Sequence, residues 1–180
     1  MESIALFGGS FDPPHIGHEA IVKEVLKLKD VDKVVIMPTF LNPFKSNFFA
    51  PSTLRLKWLK NIFASYKDVE VSSYEVGLER KVPTVESVKY LLQRYEKIYL
   101  IIGADNLQSL KQWYKYHELK ELVTFVIASR DKIEIPTDYL QLKVEEDISS
   151  TKLREHIDKS KLSKVCLNEI TEFYKEKNEK

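Results

Sequence analysis

The chain has little that would mark it as a secreted, membrane-bound or nucleic-acid-coating protein. It contains one cysteine, Cys166, in 180 residues. That excludes an intramolecular disulfide framework and fits a reducing compartment. No segment has the apolar length needed to span a bilayer. Met1-Glu2-Ser3 lacks the basic flank of a signal peptide, and a glycine pair soon interrupts the apolar run behind it. A cytoplasmic protein is expected. Charge of one sign is missing too: 28 Lys and Arg stand against 27 Asp and Glu, a net charge of +1. That balance gives no sign of bulk affinity for nucleic acid or membrane. Internal repeats, low-complexity segments and interdomain linkers are absent, and the length suits a single domain, 1–180, with a sizeable core.

What is present alternates. Short β-type runs occur at Ser3 to Phe7, Val34 to Met37, Val69 to Val71, Ile98 to Ile102 and Val123 to Ala128, with a further strand at Tyr139 to Val144. Helical spacing fills Glu19 to Leu28, Thr53 to Ala64, Val85 to Tyr95, Asn106 to Leu110 and Tyr116 to Leu122. A C-terminal helix is expected over 162–177, with a frayed tail at 178–180. Strands alternating with helices predict an α/β domain, a mostly parallel sheet with helices on both faces. The wholly apolar Tyr99-Leu100-Ile101-Ile102 and Phe125-Val126-Ile127-Ala128 fit strands buried on both sides. Cys166, beside Leu167, Ile170 and Phe173, reads as a buried structural thiol. In such folds ligands bind beyond the carboxyl ends of the strands, and the motifs lie there.

The first motif is Gly8-Gly9-Ser10-Phe11-Asp12-Pro13-Pro14-His15-Ile16-Gly17-His18. The glycines let backbone approach a ligand, and the following helix start offers N–H groups and a positive dipole end to phosphate. Histidines three apart can face one anionic group. A plain turn, or half of a metal site, is the alternative reading, but no nearby cysteine or acidic motif completes a zinc site. The second motif, Ser149-Ser150-Thr151-Lys152-Leu153-Arg154, puts hydroxyls at a helix start and a guanidinium one turn on. It is either a simple cap or a second phosphate site.

The first string resembles the T/HxGH signature of the nucleotidylyltransferase superfamily, and its His-Ile-Gly-His also resembles that of class I aminoacyl-tRNA synthetases. Joined to Ile148-Ser149-Ser150-Thr151 and Arg154, it resembles the nicotinate-nucleotide adenylyltransferases of NAD biosynthesis. Gly103-Ala104-Asp105, Trp113-Tyr114-Lys115 and Ala128-Ser129-Arg130 extend the likeness, which runs from residue 3 to about 160.

The resemblance implies a Rossmann-like fold and transfer of AMP from ATP to nicotinate mononucleotide, giving nicotinate adenine dinucleotide and pyrophosphate. It implies His15 and His18 as catalytic groups at the α- and β-phosphates. ATP would be held by the Gly8, Gly9, Ser10 and Phe11 backbone, by Gly103 and Asp105 near the ribose, and by Ser150, Thr151 and Arg154 at the β- and γ-phosphates. Lys45, Thr84, Trp113, Tyr114 and Arg130 would serve the substrates, with Trp113 exposed for stacking on the pyridine ring. Mg²⁺ would ride on the ATP phosphates, and no residue is assigned as a metal ligand. Partners are the two small molecules, in a monomer or small homo-oligomer.

Two elements depart from the family. Its Pro-x-His-Lys is here Pro43-Phe44-Lys45 without a histidine between, and its Ser-Tyr-Thr is Val82-Pro83-Thr84. Phe44 cannot donate to an anion, whereas Lys45 can reach one. Alternatives of the same chemistry are a nicotinamide-mononucleotide or dual-specificity enzyme and a pantetheine-phosphate adenylyltransferase, the last lacking Trp113-Tyr114-Lys115. A nucleotide-binding regulator without turnover is the alternative from another class. His117 and His156 stand outside any motif.

Overall fold

A computed structural model of the chain describes residues 1–129, 134–144 and 148–179. Six parallel strands form one sheet: β1 (Ser3–Gly9), β2 (Lys33–Pro38), β3 (Val69–Val71), β4 (Lys97–Gly103), β5 (Thr124–Ser129) and β6 (Leu140–Lys143). Their order across the sheet is β3-β2-β1-β4-β5-β6. The chain builds outward from β1 to one edge, returns to β4, and builds to the other. The order therefore reverses between β1 and β4, and the crevice at their carboxyl ends is where a doubly wound sheet takes a ligand. Both of these strands end in glycine, Gly9 and Gly103.

The helices are α1 (Ile16–Val25), α2 (Ser52–Phe63), α3 (Tyr74–Leu78), α4 (Thr84–Leu91), α5 (Tyr116–Leu122), α6 (Ser150–Glu155) and α7 (Leu167–Glu179). Side chains of a strand alternate between faces, so β1 sends Ala5 and Phe7 one way and Ile4 and Leu6 the other. The first pair joins a core with Val22 of α1, Trp58 and Leu59 of α2, and Ile170 and Tyr174 of α7. The second joins Val88 of α4 and Leu119 of α5. Each buried Leu or Ile contributes about 1.5–3 kcal/mol, and the double coverage explains why the strands are apolar throughout rather than alternating.

Several elements differ from sequence expectation, and α4 stops at Leu91 rather than Tyr95. Helix α1 starts at Ile16, ahead of the apolar periodicity, because His15 caps it. The span 106–110 is not an α-helix but lies between two 3-10 turns, Ala104–Asn106 and Leu110–Gln112. Helix α7 begins at Leu167, after a 3-10 turn at Lys159–Lys161. It continues through Asn178, whose side-chain amide donates to the Arg154 carbonyl at 2.8 Å, so its last turn is tied down. Helix α3 forms where no apolar periodicity predicts a helix. Cys166 is buried, as expected, just before α7. No helix among the described residues is long and apolar enough to cross a membrane.

Candidate active site

The segment after β1 is held in one shape by its own side chains. Phe11 adopts φ 51° and buries its ring edge-on against Phe7 (5.2 Å) and His18 (4.8 Å). A Cβ on Gly9 would come within 3.3 Å of that ring. His15 is the N-cap of α1: its Nδ1 accepts the Gly17 N–H at 3.1 Å, while Nδ1 of His18 accepts the His15 N–H at 3.1 Å. This is a capping box made from two imidazoles instead of a hydroxyl and a carboxylate. The rings stack at 3.7 Å, and a Cβ on Gly17 would lie 2.9 Å from His15, which is why that position is glycine. With both Nδ1 atoms accepting, each neutral ring carries its proton on Nε2 and presents it as a donor.

Asp12 ties this segment to the rest of the molecule. It is 4 % exposed. Its Oδ2 accepts the Phe49 N–H at 2.8 Å, and its Oδ1 accepts the Ala50 N–H at 3.0 Å and the Tyr174 hydroxyl of α7. Burial beside that carboxylate pushes the Tyr174 phenol far up, so it stays a donor. Arg55 forms a second tie. Its guanidinium, 1 % exposed, donates to four carbonyls at 2.7–2.9 Å: Ala50, Ser10, Thr39 and Phe40. The loops after β1 and β2 thus hang on one side chain of α2.

The second motif reaches the same place. Ser149 is the N-cap of α6, and Ser150 Oγ donates to the Pro13 carbonyl at 2.9 Å. Arg154 donates to the Asp12 carbonyl at 2.7 Å and to Thr151 Oγ1 at 3.2 Å, with its guanidinium over the Phe49 ring at 4.5 Å. Lys45 stands nearby; desolvation, then the charge of Arg154, lowers its pKa.

Three hollows meet at the β1/β4 crevice. The central one, about 360 Å³, is walled by Gly8 to Phe11, His15, His18, Gly103, Asp105, Lys45, Ser150, Thr151 and Arg154. Asp105 is not the cap of the 3-10 turn, a place Gly103 takes; a Cβ on Gly103 would lie 2.6 Å from the Asp105 carboxylate, so the acid folds back over the end of β4. A polar hollow of about 190 Å³ adjoins it, lined by Lys45, Arg55 and Arg154. A third, also about 190 Å³ and mainly apolar, is lined by Phe44, Thr84, Trp113 and Tyr114, with Glu75 and Ser87 in its wall. Gly8, Gly9, Asn42, Asn106 and Trp113 line both it and the central hollow.

Almost every residue singled out in the sequence therefore lines this one crevice. Trp113 is half-buried rather than exposed, because it packs on the second core as well. Of the aromatics lining the apolar hollow, Phe44 and Tyr114 are exposed, at 64 % and 63 %. Thr84 opens α4, whose N-cap Pro83 supplies no side-chain cap, so N–H groups of its first turn lack a side-chain acceptor. Arg130 lies outside the described residues, and His117 and His156 are exposed and line none of these three hollows.

Sequence reasoning missed Asp12 as an anchor, and Arg55, Tyr174 and Glu75 altogether. Arg55 did leave a signal: with Trp58, Leu59 and Ile62 it falls on the apolar stripe of α2, where a solvated arginine would not stand.

Residues 6–156 match the family model described as cytidylyltransferase-like. A protein of Sulfurimonas denitrificans named "Probable nicotinate-nucleotide adenylyltransferase" is 65 % identical over 178 residues, covering 99 % of this chain and 98 % of its own. A protein of the same name from Nitratiruptor sp. is 49 % identical over 96 % of this chain and 98 % of its own. In fold the chain is similar to the Plasmodium falciparum nicotinic acid mononucleotide adenylyltransferase complexed with NaAD: TM-score 0.79 at 18 % identity, covering 97 % of this chain and 98 % of that one.

Proposed function

The chain belongs to the nicotinate-nucleotide adenylyltransferases of the cytidylyltransferase-like family, and from that premise we propose how its crevice transfers AMP from ATP to nicotinate mononucleotide. The observation that carries the reading is the shared wall. A cation- and imidazole-lined hollow sized for a nucleotide opens through Trp113, Gly8 and Gly9 into an apolar hollow suited to a pyridine ring.

An acceptor phosphate oxygen attacks the α-phosphorus. A bond forms from that oxygen to phosphorus, the bond to the α,β-bridging oxygen breaks, and pyrophosphate leaves with the electron pair. The attacking oxygen is already ionised at neutral pH, so no side chain has to remove a proton. The protein's task is to align two repelling anions and stabilise the charge that moves to the leaving group. His15 and His18 do this with Nε2–H donors fixed in direction by the capping box, so little reorganisation accompanies the reaction.

Thr151 and Arg154 hold the β- and γ-phosphates, and Lys45 follows them as a mobile cation. Ser150, whose hydroxyl is committed to Pro13, acts by pinning α6 against the histidine segment. Gly103 and Asp105 receive the ribose, and Gly8 to Phe11 give a backbone wall along the nucleotide. Trp113 stacks on the pyridine ring. Tyr114 and Thr84 flank it, and uncapped N–H groups at the start of α4 suit a ring carboxylate. Arg130 keeps an acceptor-side role on the resemblance alone. The donors facing the phosphates are N–H and hydroxyl groups rather than a carboxylate cage, which suits Mg²⁺ arriving as part of the ATP substrate, held by phosphate oxygens and water. A cytoplasmic enzyme acting on these two small molecules follows.

The test is pyrophosphate release with MgATP and either nicotinate or nicotinamide mononucleotide. A preference for the acid of a hundredfold or more, about 2.7 kcal/mol, is expected. Equal use of both would overturn the assignment of the acid as the substrate, and no release with either would overturn the reaction.

A further inference from the structure

Glu75 is an acid in an unusual place. It sits in the first turn of α3, is 6 % exposed, and forms part of the wall of the apolar hollow beside Trp113, Thr84 and Ser87. Its Oε1 accepts the Ser87 hydroxyl at 2.6 Å. No cation answers it: among the described residues the charge acting on it is that of Glu86, on α4, which is itself paired with Arg80. From α4 it faces Ser87 and Glu86. Among the described residues, β2 and α2, which also pack against α3, send no charge that acts on it.

We propose that Glu75 sets how strongly the hollow prefers a ring carboxylate over a ring carboxamide, by keeping or releasing its own proton. The inference rests on the reading of this hollow as the acceptor's ring site. A protonated Glu75 is uncharged and admits a carboxylate into a small, poorly solvated space. An ionised Glu75 repels that carboxylate, since two like charges in such surroundings cannot both persist cheaply. It leaves the uncharged carboxamide unopposed and can accept one of its N–H donors.

Desolvation raises the Glu75 carboxyl to about 7; the Ser87 hydrogen bond opposes this and Glu86 adds to it. The exchange therefore falls within the range where an enzyme works. Acid acceptor binds the protonated form, so its binding near and above neutrality takes up a proton; amide binding does not.

The experiment is the ratio of kcat/KM for nicotinate mononucleotide to that for nicotinamide mononucleotide, from pH 6 to pH 8. Both acceptors carry the same phosphate and meet the same ATP and histidines, so titration of those groups cancels in the ratio. A single group titrating near 7 makes the ratio fall about tenfold across this range. Glu75→Gln keeps an acceptor for Ser87 and abolishes the ionisation, so its ratio should be flat. Calorimetry in buffers of different ionisation heat gives an independent reading: at pH 8 the acid should take up about one proton more than the amide on binding the native protein.

A ratio constant with pH, alongside good turnover of the acid, would overturn the role of Glu75 and leave the reaction standing. A fall that persists in Glu75→Gln would place the titration elsewhere and also overturn it. Turnover of neither mononucleotide would remove the reading on which the inference rests, and the inference with it.

Discussion

Replacing Arg55 by methionine tests whether the crevice is held open from beneath. Methionine fills much of the same volume but offers no donor, so the carbonyls of Ala50, Ser10, Thr39 and Phe40 each lose a partner. A carbonyl left unpaired in a buried site costs about 1–3 kcal/mol. Ser10 and Thr39 border the polar hollow and can turn partly to water. Against the loss stands the cost of burying the cation, visible in the lowered pKa of Arg55. The balance should resemble the breaking of a buried charged contact, about 3–5 kcal/mol. For a chain of this length that shifts Tm by on the order of 10 °C. Urea unfolding at fixed m-value, with calorimetry, measures it. Arg55→Lys should recover less than half, because an ammonium cannot reach four divergent carbonyls. A loss below about 1 kcal/mol for the methionine variant would refute the reasoning, since the loops after β1 and β2 would then be held by something else.

His18→Ala should lower kcat by about two to three orders of magnitude with a far smaller effect on ATP binding, while loss of its half of the cap costs about 1 kcal/mol of stability; near-normal turnover in the folded variant would sink the assignment. Trp113→Ala should raise KM for the mononucleotide more than KM for ATP, and an equal rise in both would mark Trp113 as structural. Glu75 also carries a stability signature. Its folded value near 7 lies above the unfolded carboxyl at 4.5, so the folded state binds the proton more tightly. That contribution is full below about pH 4.5 and is lost as pH climbs through 7, to about 3 kcal/mol at most. The Tm of Glu75→Gln should therefore gain on that of the native protein between pH 5.5 and pH 8.5; a constant difference would contradict it.

What could be read from the sequence was what depends on neighbours along the chain. Apolar runs such as Tyr99 to Ile102 mark strands, and the glycine pair with His15 and His18 marks one wall of the central hollow. Helix α3 escaped notice because five residues with two buried, Glu75 and Val76, leave no periodicity to detect. The start of α1 is not marked in the sequence because imidazoles are not common caps. The ties at Asp12 were invisible for another reason: Arg154 and Tyr174 lie 142 and 162 positions away, and nothing in local composition marks such a partner.

The bond from Tyr174 to Asp12 also sets a limit on where the fold can be cut. Asp12 takes two donors from the loop before α2, at Phe49 and Ala50, and a third from a helix 162 positions along the chain. A break that removed α7 would leave that buried carboxylate one donor short, at a place the break itself never touches.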